Sequence, residues 1–252
     1  EDANKMKSCY FSMNPHRLAL GDKHGLGLKD DGSVVSWGSN KFDFAVIKDQ
    51  PGSKTGVPNR NFIQIACTHK GSVGLRRDGS VVTWGAEVIR AGEPGSKTGV
   101  PNKDFIQIAC GVDHAVGLRR DGSVATWGWD EFWDFRKDMP ETKDFIQIAC
   151  GMGYSVGLRR DGTIAIWGIH KLDTKSLDNQ YTQIACGDDK ILALRKDNKV
   201  DVITKNIDVK RISFKNTSEI FQISCAGRRF GSILKIDGTA AIMTYDIFQP
   251  GR

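Results

Sequence analysis

Proline is sparse, at 7 of 252 residues, and no uninterrupted apolar run approaches the ~20 residues of a bilayer-crossing helix. The first shortage argues against a disordered or collagen-like chain, and the second excludes a membrane-spanning helix. Six cysteines occur, yet no two stand in CxxC spacing, so the clustered ligand pairs that build zinc sites are missing. No stretch keeps a convincing helical period, and no Ser, His and Asp set stands out as a catalytic group. Together these shortages lead to the expectation of an all-β chain that is not an enzyme and has no metal or cofactor.

Glycine is in excess, with 28 residues against a usual share of ~7%, and many of the glycines fall at repeated positions. Segments 62–85, 105–128 and 145–168 are near copies, FIQIAC followed by GLRRDG and ending in WG, and weaker copies occupy 17–38, 181–203 and 221–243. Asp31, Asp78, Asp121, Asp161, Asp197 and Asp237 mark the units at intervals of 36 to 47 residues. Three residues before each aspartate stands Leu28, Leu75, Leu118, Leu158, Leu194 or Leu234. Six residues after it come Trp37, Trp84, Trp127 and Trp167, then Ile203 and Met243. Both positions read as repeat core.

Each unit contains three short runs with strand patterning, and a fourth is legible once, at 208–214. Asp-Gly joins the second run to the third, which predicts a type I′ hairpin turn. Units of about 40 residues with three or four antiparallel strands are what a β-propeller requires, one unit per blade, stacked so that every blade face is covered. The count predicts a single domain over 1–252 with six blades, seven being the alternative. Ser8 to Ser12 is the expected closing strand, paired with the last blade. Gly27, Gly74, Gly117 and Gly157, in mid-strand, are expected to leave room for a neighbouring blade or for the repeated tryptophan.

The pattern IACGxxHxxxLRxDGxxxxWG, complete in 108–128, resembles the repeat of the regulator of chromosome condensation family, and the resemblance runs over essentially the whole chain. It implies a propeller that acts by binding: nucleotide exchange on a small GTPase, chromatin docking, or service as a module in a larger assembly. The short repeats are also similar to those of bacterial propellers that inhibit β-lactamases. The wedge and contact residues of the exchange factors have no recognisable counterpart here, which sets nucleotide exchange below a scaffold role.

Cys67, Cys110, Cys150, Cys186 and Cys225 hold one repeat position and read as small apolar core residues. Gln64, Gln107, Gln147, Gln183 and Gln222, three residues earlier, read as bridges between blades. His24 and His114 share a position that varies elsewhere and are expected to make local hydrogen bonds. The duplicated loop PGSKTGVPN at 51–59 and 94–102 lacks the P-loop spacing. Two features point to partners. Basic pairs precede the turn aspartates, Arg76 and Arg77, Arg119 and Arg120, Arg159 and Arg160, Arg195 and Lys196, and predict a basic rim on a chain of net charge +6. Trp129, Phe132, Trp133, Phe135 and Arg136 depart from the repeat and form a candidate hot spot, with packing onto the blade as the competing reading.

The expected function is therefore a non-enzymatic protein-interaction scaffold, a component of a larger assembly. GTPase regulation and attachment to chromatin or nucleic acid through the basic rim are the alternatives. A protein partner is expected, with an acidic surface or nucleic acid as variants, and neither a membrane nor a small-molecule substrate. Unpaired thiols fit the cytoplasm or nucleus. The sequence opens at Glu1 with no initiator Met, which leaves a processed leader or organelle import open.

Overall fold

The computed structural model describes residues 17–21, 23–38, 50–53, 56–85, 92–96, 101–128, 134–168, 177, 180–204, 209–213, 219–226 and 230–244. Among them there are strands and turns and no helix. The strands are β1 (Leu18–Leu20), β2 (His24–Leu28) and β3 (Val34–Gly38), then β4 (Phe62–Cys67), β5 (Gly71–Arg76) and β6 (Val81–Gly85). Next come β7 (Phe105–Cys110), β8 (His114–Arg119), β9 (Val124–Gly128), β10 (Phe145–Cys150), β11 (Tyr154–Arg159) and β12 (Ile164–Gly168). The last are β13 (Tyr181–Cys186), β14 (Lys190–Arg195), β15 (Val200–Thr204), β16 (Val209–Ile212), β17 (Ile220–Ala226), β18 (Phe230–Lys235) and β19 (Ala240–Thr244). They pair antiparallel in chain order into six sheets, one per repeat; the fifth has four strands because β16 adds to β15.

The Asp-Gly hairpins form, but not as type I′ turns. Gly79 N–H donates to the Arg76 carbonyl at 3.0 Å, and among Arg77, Asp78 and Gly79 only the glycine has positive φ, at 82°. This is a type I turn closed by a left-handed glycine, the three-residue hairpin loop with a bulge. The aspartate is selected by a hydrogen bond and not by φ: Asp78 Oδ1 accepts from the Ser80 amide at 2.9 Å and its hydroxyl at 2.6 Å. Asp31, Asp121, Asp161 and Asp237 do the same with Ser33, Ser123, Thr163 and Thr239. Where the fifth unit has Asn198 instead of glycine, the asparagine takes φ 64°.

Hydrophobic burial lies between successive sheets. Leu26, Leu28 and Val34 pack on Phe62, Ile65 and Trp84. Val73, Leu75 and Val81 pack on Phe105, Ile108 and Trp127, and Val116, Leu118 and Val124 on Phe145, Ile148 and Trp167. Each repeated leucine thus faces the next sheet and each repeated tryptophan the preceding one. The first strands β1, β4, β7, β10, β13 and β17 also pack serially on one another, which places them on the inner side.

The core assignments need two corrections. Trp37 is 44% exposed, against 3%, 2% and 0% for Trp84, Trp127 and Trp167, because no preceding sheet covers it among the described residues. Leu234, facing forward from the last sheet, is half-buried where the other five repeated leucines are buried. The expected closing strand at Ser8 to Ser12 lies outside the described residues.

Candidate functional site

The hairpins lie on one face because each turn is bonded to the start of the next sheet. Phe62 N–H donates to the Gly32 carbonyl at 2.9 Å, Phe105 to Gly79 at 3.0 Å, Phe145 to Gly122 at 3.2 Å and Tyr181 to Gly162 at 3.1 Å. Asn198 has its side-chain oxygen in the equivalent role and accepts from Ile220 N–H at 2.7 Å. The face is therefore a series of contiguous turns, four of which carry a basic pair, while the first has Lys29 and Asp30 at those positions.

The structure divides those pairs. The first arginine of each lies over the ring that begins its own sheet: Arg76 over Phe62 at 5.2 Å, Arg119 over Phe105 at 4.7 Å, Arg159 over Phe145 at 5.3 Å and Arg195 over Tyr181 at 5.9 Å. Beneath these rings lie Trp84, Trp127 and Trp167, tilted, with centroids 6.0–6.2 Å away. Arg76 and Arg119 also donate to the carbonyls of Pro58 and Pro101 in the duplicated loop, and Arg195 is buried. Half of the expected rim is thus structural. The second members, Arg77, Arg120, Arg160 and Lys196, are exposed. The exposed turn aspartates beside them are held in the charged form by their own turn bonds, which bring the Asp121 carboxyl down to about 2.

Other sequence candidates serve the joints between sheets. Gln64 Nε2 donates to the Ile108 carbonyl at 2.8 Å while its Oε1 accepts from Ile108 N–H at 2.9 Å. Gln107 forks in the same way onto Ile148, and Gln147 onto Ile184; Gln183 accepts from Ile223 N–H. A bulge just before each glutamine, visible as a register shift between Phe62 and Gln64, aims the amide across the gap. In the duplicated loop, Asn59 forks onto Val34 and Asn102 onto Val81, so the loop works as a staple.

The histidines also bridge sheets, where only local bonds were expected. His24 Nε2 meets Ser72 Oγ at 3.1 Å and His114 Nε2 meets Ser155 Oγ at 3.0 Å, both in the following sheet. Tyr154, at the same repeat position, donates to the carbonyls of Gly187 and Lys190 in the next sheet. Burial brings the His114 pKa down to about 4, so the ring is neutral. The cysteines are partly buried, and desolvation pushes the Cys67 and Cys150 thiols up to about 12, leaving them protonated and poorly nucleophilic. Among the described residues no group of three or more His, Cys, Asp or Glu could hold a metal.

Of the aromatic segment, Trp129, Phe132 and Trp133 lie outside the described residues. Phe135 is buried, stacked on His114 with centroids 4.4 Å apart and planes 17° from parallel. It therefore folds down onto the blade, the competing reading for that residue, while Arg136 beside it is exposed.

Six sheets stacked through such joints are the blades of a β-propeller. Residues 16–43 and 105–132 match the family model of the regulator of chromosome condensation (RCC1) repeat, and the repeats of this chain are of that type. Similar solved structures include Prp20p from Saccharomyces cerevisiae, at 17% identity and TM-score 0.64, covering 90% of this chain and 71% of that one. Human WBSCR16 is similar at 19% identity and TM-score 0.60, with 83% and 69% covered. The ectodomain of the Arabidopsis thaliana receptor kinase ACR4 is similar at 17% and 0.64, with 90% and 80% covered. At such identities the likeness is one of fold. No curated protein matches the sequence significantly.

Proposed function

We propose that this chain is a non-enzymatic interaction module that docks a protein partner on its hairpin face, through Arg77, Arg120, Arg160 and Lys196. The observation that carries this reading is the division of the basic pairs. One cation of each pair is used internally on an aromatic ring, whereas the other projects from an equivalent, contiguous turn. Repeated exposed cations on a rigid face suit an acidic protein surface and speed the encounter with it. Propellers of this repeat type are generally not themselves catalytic, and the protonated thiols and buried neutral imidazole are consistent with that. Among similar proteins, yeast RCC1 (Prp20) has been solved bound to Kap60, and Prp20p has been described with its binding to Gsp1p and histones. Protein partners on this fold therefore support the reading.

The test is affinity capture with cross-linking from native material, using the wild-type chain and an Arg77→Glu, Arg120→Glu, Arg160→Glu variant side by side. A protein that cross-links to the hairpin turns and is lost from the variant supports the proposal. Equal recovery by both baits, or recovery abolished by nuclease, overturns it; the second result would assign the face to nucleic acid.

A further inference from the structure

The five joints between sheets follow a sequence rule that the two end sheets break. Trp167 Nε1 donates to Thr126 Oγ1 of the preceding sheet at 3.1 Å. Ser36 and Thr83 occupy the position of Thr126 in the sheets that precede Trp84 and Trp127. Those two hydroxyls and the two indole nitrogens are buried and make no hydrogen bond, so the correspondence there is one of position and the bond itself is formed at Trp167. Where the following sheet has no tryptophan, the position is apolar instead: Ile166 precedes the sheet with Ile203, and Val202 the sheet with Met243. A hydroxyl thus anticipates a tryptophan in the next sheet, and an apolar side chain anticipates its absence.

The first sheet carries Trp37, so its cognate neighbour must offer a hydroxyl. The sixth sheet offers Ile242, which is 70% exposed, although Ile166 and Val202 at the same position are buried. Ala240 is exposed and Leu234 half-buried on the same face. On the first sheet Leu18, Leu20 and Val35 are exposed beside Trp37. Gln222 has the register of the four bridging glutamines, three of which fork, opposite the repeated leucine and just after a bulge. Among the described residues its side chain has no hydrogen-bond partner. Each end sheet is therefore prepared for a neighbour, and by the hydroxyl rule the two are not prepared for each other.

We propose that the open faces of the sixth and first sheets form a docking slot for a β-sheet element supplied from outside this chain. Its inner strand gives Gln222 a main-chain N–H and C=O, and its outer strand presents Ser or Thr to Trp37, with an apolar residue other than tryptophan toward Ile242. The slot continues the joint already made between successive sheets, so its partner is recognised by main-chain hydrogen bonding plus alternate side chains, the mode of strand addition. It is separate from the hairpin face, and the triple glutamate variant leaves it intact.

Repeat 105–128 has the required chemistry, because Ile108 is held by the Gln64 fork and Thr126 by Trp167. The probe is therefore a synthetic peptide of residues 105–128 carrying Trp127→Ile, added to the full chain. Binding is expected to be saturable and to shift the Trp37 emission to the blue, read as the difference from a Trp37→Phe chain. Gln222→Ala should weaken it at least about tenfold. Thr126→Val in the peptide should also weaken it, with the folded chain untouched. Three outcomes overturn the proposal: no binding, equal affinity for the Gln222→Ala chain, or binding that appears only once residues 1–16 are deleted. The last would give the slot to the chain's own terminus.

Discussion

The amide of Gln64 grips both main-chain polar groups of Ile108 across a sheet boundary, and the same two-pronged contact recurs from Gln107 to Ile148 and from Gln147 to Ile184. Truncating one of them leaves a buried N–H and a C=O without partners. Gln107→Ala should therefore cost about 2–4 kcal/mol, read from the midpoint of a urea transition at unchanged slope. A loss below about 0.5 kcal/mol would mean that water replaces the fork.

The division of the basic pairs predicts opposite behaviour for adjacent arginines. Arg119→Ala removes a cation from above Phe105 together with its bond to Pro101, and should destabilise by about 1 kcal/mol. Arg120→Ala should leave the melting temperature unchanged and alter only partner association and its dependence on salt. Paired thermal melts of the two variants check this.

Gly117 has no room for a methyl group, since a Cβ there would lie 2.5 Å from the Phe105 ring. Gly117→Ala should cost about 1–3 kcal/mol by overpacking. The fifth sheet has Ala193 at this position, in one buried cluster with Tyr181 and Ile203, which stand where the third sheet has Phe105 and Trp127. Adding Phe105→Leu to Gly117→Ala should accordingly recover part of the loss, so that the double variant is less destabilised than the sum of the singles. Strict additivity in a double-mutant cycle would contradict the ring as the obstacle.

The fifth sheet also contains a buried carboxylate. Asp201 is fully buried and accepts from Tyr181 Oη at 3.0 Å, from Arg195 at 3.4 Å and from Arg211 at 2.8 and 3.0 Å. Its counterparts in the third and fourth sheets are Ala125 and Ala165. Asp201→Ala strips the buried Arg195 of a counter-charge and should cost about 3–5 kcal/mol. Adding Tyr181→Phe should cost little more, because the hydroxyl loses its acceptor in the single variant already.

Acid should weaken the joint at His114. Its folded pKa lies near 4, below the ordinary 6.5 of an unfolded histidine. Above about pH 6.5 both states are neutral and stability does not depend on this ring. Between 6.5 and 4 the unfolded chain takes up a proton that the folded chain refuses, so stability falls, by at most about 3 kcal/mol at pH 4. His24 is shifted in the same direction, also by burial. Denaturation midpoints measured from pH 7.5 to 4.5 should drop, and the His114→Gln chain should drop less.

The repeat made the sheets legible in the sequence, since Leu75, Asp78, Gly79 and Trp84 return at fixed offsets and each offset serves one structural need. The inter-sheet role of the glutamines was legible for a similar reason: a buried amide requires partners, and its own sheet leaves none. The extra strand β16 was visible as an alternating run. The turn type was not, because Asp-Gly suits two hairpin geometries and the choice falls to the hydroxyl at Ser80 or its equivalents. Nor was the split of the arginines, since Arg76 and Arg77 are adjacent and identical in the sequence; Arg76 ends its strand over Phe62, whereas Arg77 stands in the turn and is exposed. The mid-strand glycines were expected to make room for a neighbouring blade or the tryptophan. For Gly74, Gly117 and Gly157 the nearest obstacle is the aromatic ring that opens their own sheet, with Trp84, Trp127 or Trp167 somewhat farther off, whereas at Gly27 it is Val35 and then Trp37.

The near-identity of the joints also bears on how the chain finds its order. Gln64 holds Ile108 with the same atoms by which Gln107 holds Ile148, so the contact itself does not tell the second unit from the third. A unit that skipped its neighbour and docked one place further along would satisfy almost every local bond. Sequence order then has to be enforced by the connectors, whose lengths differ along the chain although the staples Asn59 and Asn102 repeat one another. Refolding from denaturant at high protein concentration should therefore populate exchanged units, between molecules as well as within one, to a degree that a chain of dissimilar blades would escape.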